Sequence, residues 1–467
     1  MNQPRNPTGG AMFKTVNPAT GEVLKNYSLM TDTEVDKVIT SAFKSYTTED
    51  LSVNLRAQML SDLAKSFRQQ RQTLAVQVSS EMGKPLKDSS AEVEKCALAF
   101  DYFSQNLESF LASQDVPSDY KKSKIVKDAI GPILSVMPWN FPLWQLVRFA
   151  APAVGIGNPI LLKHSEVTAG TAKLLQEIFN GVSKNLLFNL TINHDQAALV
   201  IRDPRVRAVT LTGSTKAGRA IAKIAGENLK KSVLELGGSD AYVVFANADL
   251  AHAAKICAQS RMVNNGQSCV AAKRFLIEKP ALDQFIELFK AELRTYIPGN
   301  PLKSESKVGS LAAKKFQTQL LQQCDQLLAA GQSQEIFNLA NEITTDHASG
   351  SAFFAARAYL VSNTEPKVFT EEFFGPVALL QSFNTAAEAL DLVNRSDYGL
   401  GGAVFSSDQD FAENFARKME AGFVAINDMV KSAPNLPFGG VKQSGYGREL
   451  GLYGFNEFCN VKTLGFY

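Results

Sequence analysis

Long apolar runs are missing from this 467-residue sequence: none reaches the roughly 20 residues that a membrane-spanning helix requires. The start, Met1-Asn2-Gln3-Pro4-Arg5-Asn6-Pro7, has no apolar signal core, so cytoplasmic residence is expected. Net charge is nearly absent, with 48 Lys and Arg against 46 Asp and Glu. No global field therefore recruits nucleic acid or an anionic membrane, and small molecules become the expected partners. Cysteine is scarce: Cys96, Cys257, Cys269, Cys324 and Cys459 are odd in number, scattered and without a CxxC pair, which argues against a disulfide framework or a zinc site. His164, His194, His252 and His347 form no HxxxH or comparable array, so no metal is implied. Internal repeats and low-complexity segments are also lacking.

What is present is an ordinary globular composition, 45% hydrophobic and 20% charged, in a chain long enough for two or three domains. From Asp32 to Leu111 apolar residues recur at helical spacing, as in Leu60, Leu63, Ala64 and Phe67. The polar segment from Gln114 to Asp128 carries Lys121, Lys122, Lys124 and Lys127; with Tyr120 as its only aromatic it reads as a solvated face or arm rather than a nucleic-acid patch. Beyond it, Ile133 to Met137, Ile160 to Leu162 and Val206 to Leu211 alternate with helical stretches, the pattern of βαβ units around a mostly parallel sheet. A second α/β set begins after Gly237-Gly238, which places a domain change near Leu236.

Three segments carry candidate chemistry. Cys269 lies in Asn264-Asn265-Gly266-Gln267-Ser268-Cys269-Val270, where small and amide-bearing neighbours at a turn suit a reactive thiolate; a buried structural thiol is the alternative. Glu235 opens Glu-Leu-Gly-Gly and is a candidate general base, or else a strand-end residue salt-bridged to Lys230 or Lys231. Asn140, between prolines in Pro138-Trp139-Asn140-Phe141-Pro142, has a restricted backbone and an amide that could hold an oxyanion. In order and approximate spacing these segments resemble the aldehyde dehydrogenase superfamily. The resemblance runs from Val16-Asn17-Pro18-Ala19-Thr20-Gly21-Glu22 to Pro437-Phe438-Gly439-Gly440-Val441-Lys442-Gln443-Ser444-Gly445.

The resemblance implies an α/β, aldehyde dehydrogenase-like fold. Its parts are a Rossmann-type dinucleotide-binding domain (1–111 and 131–235), an α/β catalytic domain (236–447) and a small β oligomerisation arm (112–130 and 448–467) joining a homodimer or homotetramer. It further implies that Gly213 and Ser214, in a GxTxxG turn before a helix, lie near the pyrophosphate; from the residues alone this is an ordinary glycine turn or a phosphate site at a helix N-terminus. Lys163 and Glu166 stand where the family anchors the adenine ribose, or are a solvated pair. A carboxylate at Glu166 favours NAD, while Lys216 leaves NADP usable. Glu372 and Phe374 match the segment at the nicotinamide ribose and ring, or are a charged loop and a core aromatic. Trp139 is counted with the cofactor residues, and the Pro437-to-Gly445 segment is read as a tight turn beside the site.

The implied reaction is attack of the Cys269 thiolate on an aldehyde, stabilisation of the oxyanion by Asn140 and the Cys269 N–H, hydride transfer, and hydrolysis of the thioester with Glu235 as base. Members that pass the acyl group to coenzyme A lack this glutamate. Phe141-Pro142 should open a helix with Trp144 and Arg148 on one face. Arg148 matches the arginine that clamps the carboxylate in succinate-semialdehyde dehydrogenases, although Val263 and Gly451 depart from that subgroup and Arg261 is a substitute contact. The alternatives are Arg148 as a helix-surface ion pair with a neutral or aromatic aldehyde as substrate, a cofactor-independent thiol esterase, and a catalytically silent binding homologue.

Overall fold

The computed structural model describes residues 12–48, 51–343, 348 and 350–467; His347 lies outside them. The helix Val53–Gln69 begins at Ser52, whose hydroxyl accepts from the Leu55 N–H and satisfies one of the donors a helix start leaves free. Leu60, Leu63, Ala64 and Phe67 are fully buried, each larger side chain contributing about 1.5–3 kcal/mol. With the helices Arg71–Met82, Leu86–Leu111 and Trp144–Ile156 they cover one face of a sheet through Ile133, Ile160 and Leu187. The other face packs through Leu134, Leu161 and Val209 against Val35 and Ile39. Neighbouring residues of one strand thus face opposite layers, as strand geometry demands.

That sheet has six strands, in the order Gly445–Tyr446, Lys231–Glu235, Ala208–Thr212, Ile133–Met137, Ile160–His164, Leu187–Asn189. All pairs are parallel except the edge pair of Gly445–Tyr446 with Lys231–Glu235. The first parallel strand in the chain, Ile133–Met137, is central; the next two lie on one side of it and the last two on the other. Strand order therefore reverses between Ile133–Met137 and Ala208–Thr212, and a crevice opens at the carboxyl ends of such a pair. Pro138-Trp139-Asn140 and Gly213-Ser214 leave the sheet at this point.

The chain ends the first sheet at Glu235 and enters a seven-stranded sheet at Ala241–Val244. This second sheet is parallel except for the edge pair Ser333–Asn338 and Arg357–Val361. A three-stranded sheet joins Gln114–Asp115, Lys122–Ala129 and Cys459–Phe466. Two details differ from the contiguous segments expected from the sequence. Gly445–Tyr446 returns to the first sheet, and the helix Gly451–Asn456 buries Phe455 in the first core, so only the last strand of 448–467 belongs to the small sheet. Both follow from short apolar or glycine-rich stretches whose partners are distant in the chain. Among the described residues no helix is long and apolar enough to cross a membrane, and no cluster of three or more His, Cys, Asp or Glu is placed to hold a metal.

Candidate active site

The helix Leu250–Met262 ends in a tight reversal. Asn264 and Asn265 adopt left-handed backbone, φ 55° and 58°, a conformation that asparagine tolerates better than most residues. The amide of Asn265 donates to Ser310 O at 2.7 Å and its carbonyl accepts from Gly309 N at 2.8 Å. Gly266 follows at φ 75°, and a Cβ there would lie 2.4 Å from the Gly375 carbonyl carbon, so only glycine lets the loop meet the Phe374-Gly375-Pro376 segment. The reversal delivers Cys269 to the switch-point crevice.

A cleft of about 670 Å³ occupies that crevice, and Trp139, Asn140, Gly213, Ser214, Cys269, Glu372 and Phe374 all line it. Cys269 is half-buried and opens on the cleft, whereas Cys96, Cys257 and Cys324 are buried. Its thiol is pushed up to about 12, first by burial; Arg148 and Lys273 oppose the shift, and Glu372 and Glu235 add to it. Asn140 is buried, with Nδ2 donating to Gln267 O at 3.1 Å and Oδ1 without a partner. Asn264 Nδ2 donates in turn to Asn140 O at 2.7 Å, so the PWNFP turn and the cysteine loop hold each other.

Glu235 ends its strand 1% exposed, and neither carboxylate oxygen has a hydrogen-bond partner. The salt bridge to Lys230 or Lys231 is not formed: Lys231 pairs with Glu457 at 2.9 Å, and Lys230 donates to Asp203 O. Burial, then the neighbouring Glu449, raises the Glu235 carboxyl well above the usual range, against the pull of Arg148 and Arg448. The Pro437-to-Gly445 segment folds alongside, with Ser444 Oγ donating to Gly237 O at 2.7 Å.

Ser214 caps the helix Thr215–Glu227, its hydroxyl accepting from Ala217 N. No acidic residue lies in that helix's first turn and Gly213 presents only backbone, so the cleft meets a helix N-terminus suited to a diphosphate. The residues fit a dinucleotide elsewhere too. Glu372 accepts from Gly238 N at 3.0 Å, and Phe374 meets the Trp139 ring edge-on at 5.6 Å. Lys163 and Glu166 lie outside the cleft lining. Lys163 is buried at the end of its strand, and Glu166 pairs with Lys315 at 3.1 Å, so they are not a mutual solvated pair.

Arg148 is neither a surface ion pair nor a bare guanidinium. It is 2% exposed, with Nε 2.8 Å from Glu449, Nη2 donating to Gln145, and the Phe438 ring 4.6 Å beneath it. Its Nη1 makes no hydrogen bond among the described residues. Arg261 donates to Gly266 O at 2.6 Å and weakly to Val377 O, which fixes the cysteine loop from behind and makes it a backbone tie, not a substitute contact. Arg274 binds three backbone carbonyls likewise. Glu449, Lys273 and Phe316 were not singled out from the sequence. Phe316 stacks on Trp139 at 4.6 Å, and nothing local in the sequence announces it. The Gly447-Arg448-Glu449 run and the spacing of Lys273 four residues after Cys269 were the only signals for the other two.

A parallel sheet with this strand order and a switch-point cleft is the arrangement of a dinucleotide-binding domain. The profile of the aldehyde dehydrogenase family matches residues 5–464, and the chain belongs to that family. It is 38% identical over 460 residues to a succinate-semialdehyde dehydrogenase [NADP(+)] of Mycobacterium avium, covering 96% of each chain. Among solved structures, a succinic semialdehyde dehydrogenase from Streptococcus pyogenes in complex with NADP+ is 34% identical with a TM-score of 0.92, over 97% of this chain and 99% of that one. PnpE in complex with nicotinamide adenine dinucleotide is 27% identical with a TM-score of 0.93, over 99% and 95%.

Proposed function

We propose that this aldehyde dehydrogenase oxidises succinate semialdehyde, or a close ω-carboxy aldehyde, to the dicarboxylate through a thioester on Cys269. The observation that carries the reading is Glu235, a buried carboxylate without a hydrogen-bond partner within the electrostatic reach of the Cys269 thiol. A carboxyl raised by burial accepts a proton readily when a neighbouring thiol must lose one. The Cys269 sulfur then bonds to the aldehyde carbon, and the carbonyl oxygen becomes an oxyanion held by the Asn140 amide and the Cys269 N–H. When bound along Gly213, Ser214 and Glu372, the dinucleotide supplies the hydride acceptor. Once hydride has left the carbon and Glu235 has passed the thiol proton to solvent, Glu235 takes a proton from water, whose oxygen bonds to the thioester carbon as the Cys269 thiolate leaves. The acid so formed ionises to the carboxylate.

Specificity is assigned to Arg148, whose free Nη1 would receive the distal carboxylate. The relatives from Mycobacterium avium and Streptococcus pyogenes, named for the same aldehyde, support this. The Glu449 partner already neutralises Arg148, which favours a neutral aldehyde as the second reading. NAD(P)H formation decides between them. A kcat/KM for succinate semialdehyde at least about 100-fold above that for butanal is the size expected of a charge-assisted contact of 2–3 kcal/mol, and equal values discard the carboxylate contact.

Both dinucleotides should serve. Glu166 disfavours a 2′-phosphate, but its pairing with Lys315 blunts the repulsion; Glu166→Gln should raise kcat/KM for NADP relative to NAD. The chain is also assigned to a cytoplasmic homodimer or homotetramer. In support, Cys459–Phe466 is an edge strand exposing Val461 and Phe466, a surface that invites pairing. Sedimentation of a monomer would end that assignment.

A further inference from the structure

Lys273 has no place in the chemistry above, yet it touches both the Cys269 loop and Glu372. It is fully buried, at 0% exposure. Its Nζ donates to the carbonyls of Ser268 and Cys269 at 2.9 and 2.6 Å and stands 3.4 Å from a Glu372 carboxylate oxygen. That same Glu372 oxygen accepts the Gly238 N–H at 3.0 Å. The packing around it is tight: a Cβ on Gly238 would lie 2.6 Å from Cys269 O, and one on Gly237 2.7 Å from Glu372. One ammonium therefore ties the nucleophile's own peptide to the carboxylate assigned to the cofactor ribose, across a double-glycine turn that leaves no slack. A buried ammonium needs such partners, since an unpaired one would be costly. This arrangement uses the nucleophile loop as one of them.

We propose that Lys273 is a positioning residue that couples the Glu372 carboxylate to the presentation of Cys269. A change at either end is felt at the other. The proposal rests on the reading of Cys269 as nucleophile and Glu372 as cofactor contact, and adds that the two are set by one group. Charge agrees with the geometry. The charged groups that face Cys269 are Arg148 from the Trp144 helix, Lys273 from its own loop, Glu372, and Glu235. Those that face Lys273 are Glu372, Asp240, Arg261 and Cys269. Removing Lys273 leaves Arg148 alone against the two carboxylates at the thiol.

The test is alkylation of the resting full-length protein by iodoacetamide, with the Cys269 peptide followed by mass spectrometry across pH, and no aldehyde or dinucleotide present. In Lys273→Met the Cys269 rate at neutral pH should fall about ten-fold or more, because losing one opposing cation moves the thiolate fraction by about one pH unit. NAD(P) binding, read by quenching of tryptophan fluorescence, should weaken in the same variant. Glu372→Gln with Lys273 intact should speed alkylation several-fold, because the ammonium is then left to the cysteine loop. In the double variant the two effects should not add. Should Lys273→Met fail to fold, an unchanged rate in Glu372→Gln still overturns the coupling, and the conservative Lys273→Arg, which keeps the cation but not its geometry, supplies the partner for the double variant. An unchanged Cys269 rate in Glu372→Gln, additive effects in the double variant, or a Lys273→Met protein with wild-type alkylation and binding overturns the coupling. These readouts need no turnover. A wild-type protein that oxidises no aldehyde would defeat the proposed function and leave the coupling standing.

Discussion

Two pairs of buried glutamates divide this molecule. In the helical layer Glu92 is 4% exposed, and one oxygen accepts the N–H groups of Leu143 and Trp144 at 2.9 and 2.8 Å while the other meets Lys84. Glu81 nearby accepts from Gly170 N, Thr171 N and the Thr171 hydroxyl. Near Cys269, Glu235 is equally buried and neither of its oxygens has a hydrogen-bond partner, while the neighbouring Glu449 meets Arg148 at 2.8 Å. A desolvated carboxylate without partners costs free energy, whereas one at a helix start with a paired cation stabilises. Glu92 holds the start of the Trp144 helix, and Glu81 that of the helix Ala169–Val182. In the second pair, Glu235 is a carboxyl able to take a proton, the kind of perturbed group that clusters at functional sites.

Four outcomes would break or sharpen this contrast. Glu235→Gln should cut turnover by about 10²–10⁴-fold, as loss of a general base does, with acyl enzyme accumulating; if thioester hydrolysis stays at the wild-type rate in single-turnover kinetics, the base lies elsewhere. Glu92→Gln leaves Lys84 uncompensated and should destabilise the fold by about 3–5 kcal/mol, seen as a lower urea midpoint, while Glu235→Gln should not. Asn140→Ala should lower kcat by about 10²–10³-fold, the usual loss for one oxyanion donor, with stability lowered only by about 1 kcal/mol through loss of its buried hydrogen bond to Gln267 O. The smallest effect is a pH dependence. Burial raises the Glu235 carboxyl above the ordinary value of 4.5, so its contribution to stability is fully present below that pH and is lost as pH rises through the raised pKa. Glu235→Gln, which mimics the protonated form, should therefore gain on the wild type as pH rises, by about 1–3 kcal/mol, the cost of an unsatisfied buried polar group. Equal midpoints at pH 5 and 9 would contradict it.

Much of the site was legible because its signals are local. The glycines and asparagines around Cys269 are needed for a left-handed reversal, PWNFP needs its prolines, and Gly213-Ser214 needs a strand before it and a helix after it. Partners were harder to read. Arg148 was visible as a cation on a helix face, but the presence of Glu449 beside it depends on a segment 301 residues later folding back over Phe438. Glu166 was visible as a carboxylate after a strand, and its pairing with Lys315 was not.

By itself, then, the amino-acid order determined the alternation of strands and helices, the switch-point turns and the candidate reactive groups, since each rests on backbone preferences and side-chain chemistry within a few residues. Tertiary structure alone decided which charges are neutralised, that the Glu235 carboxyl goes without a hydrogen-bond partner and which lysine holds the Cys269 loop. Those properties depend on burial and on neighbours hundreds of residues apart, and electrostatic strength is set by the surroundings from which water has been removed.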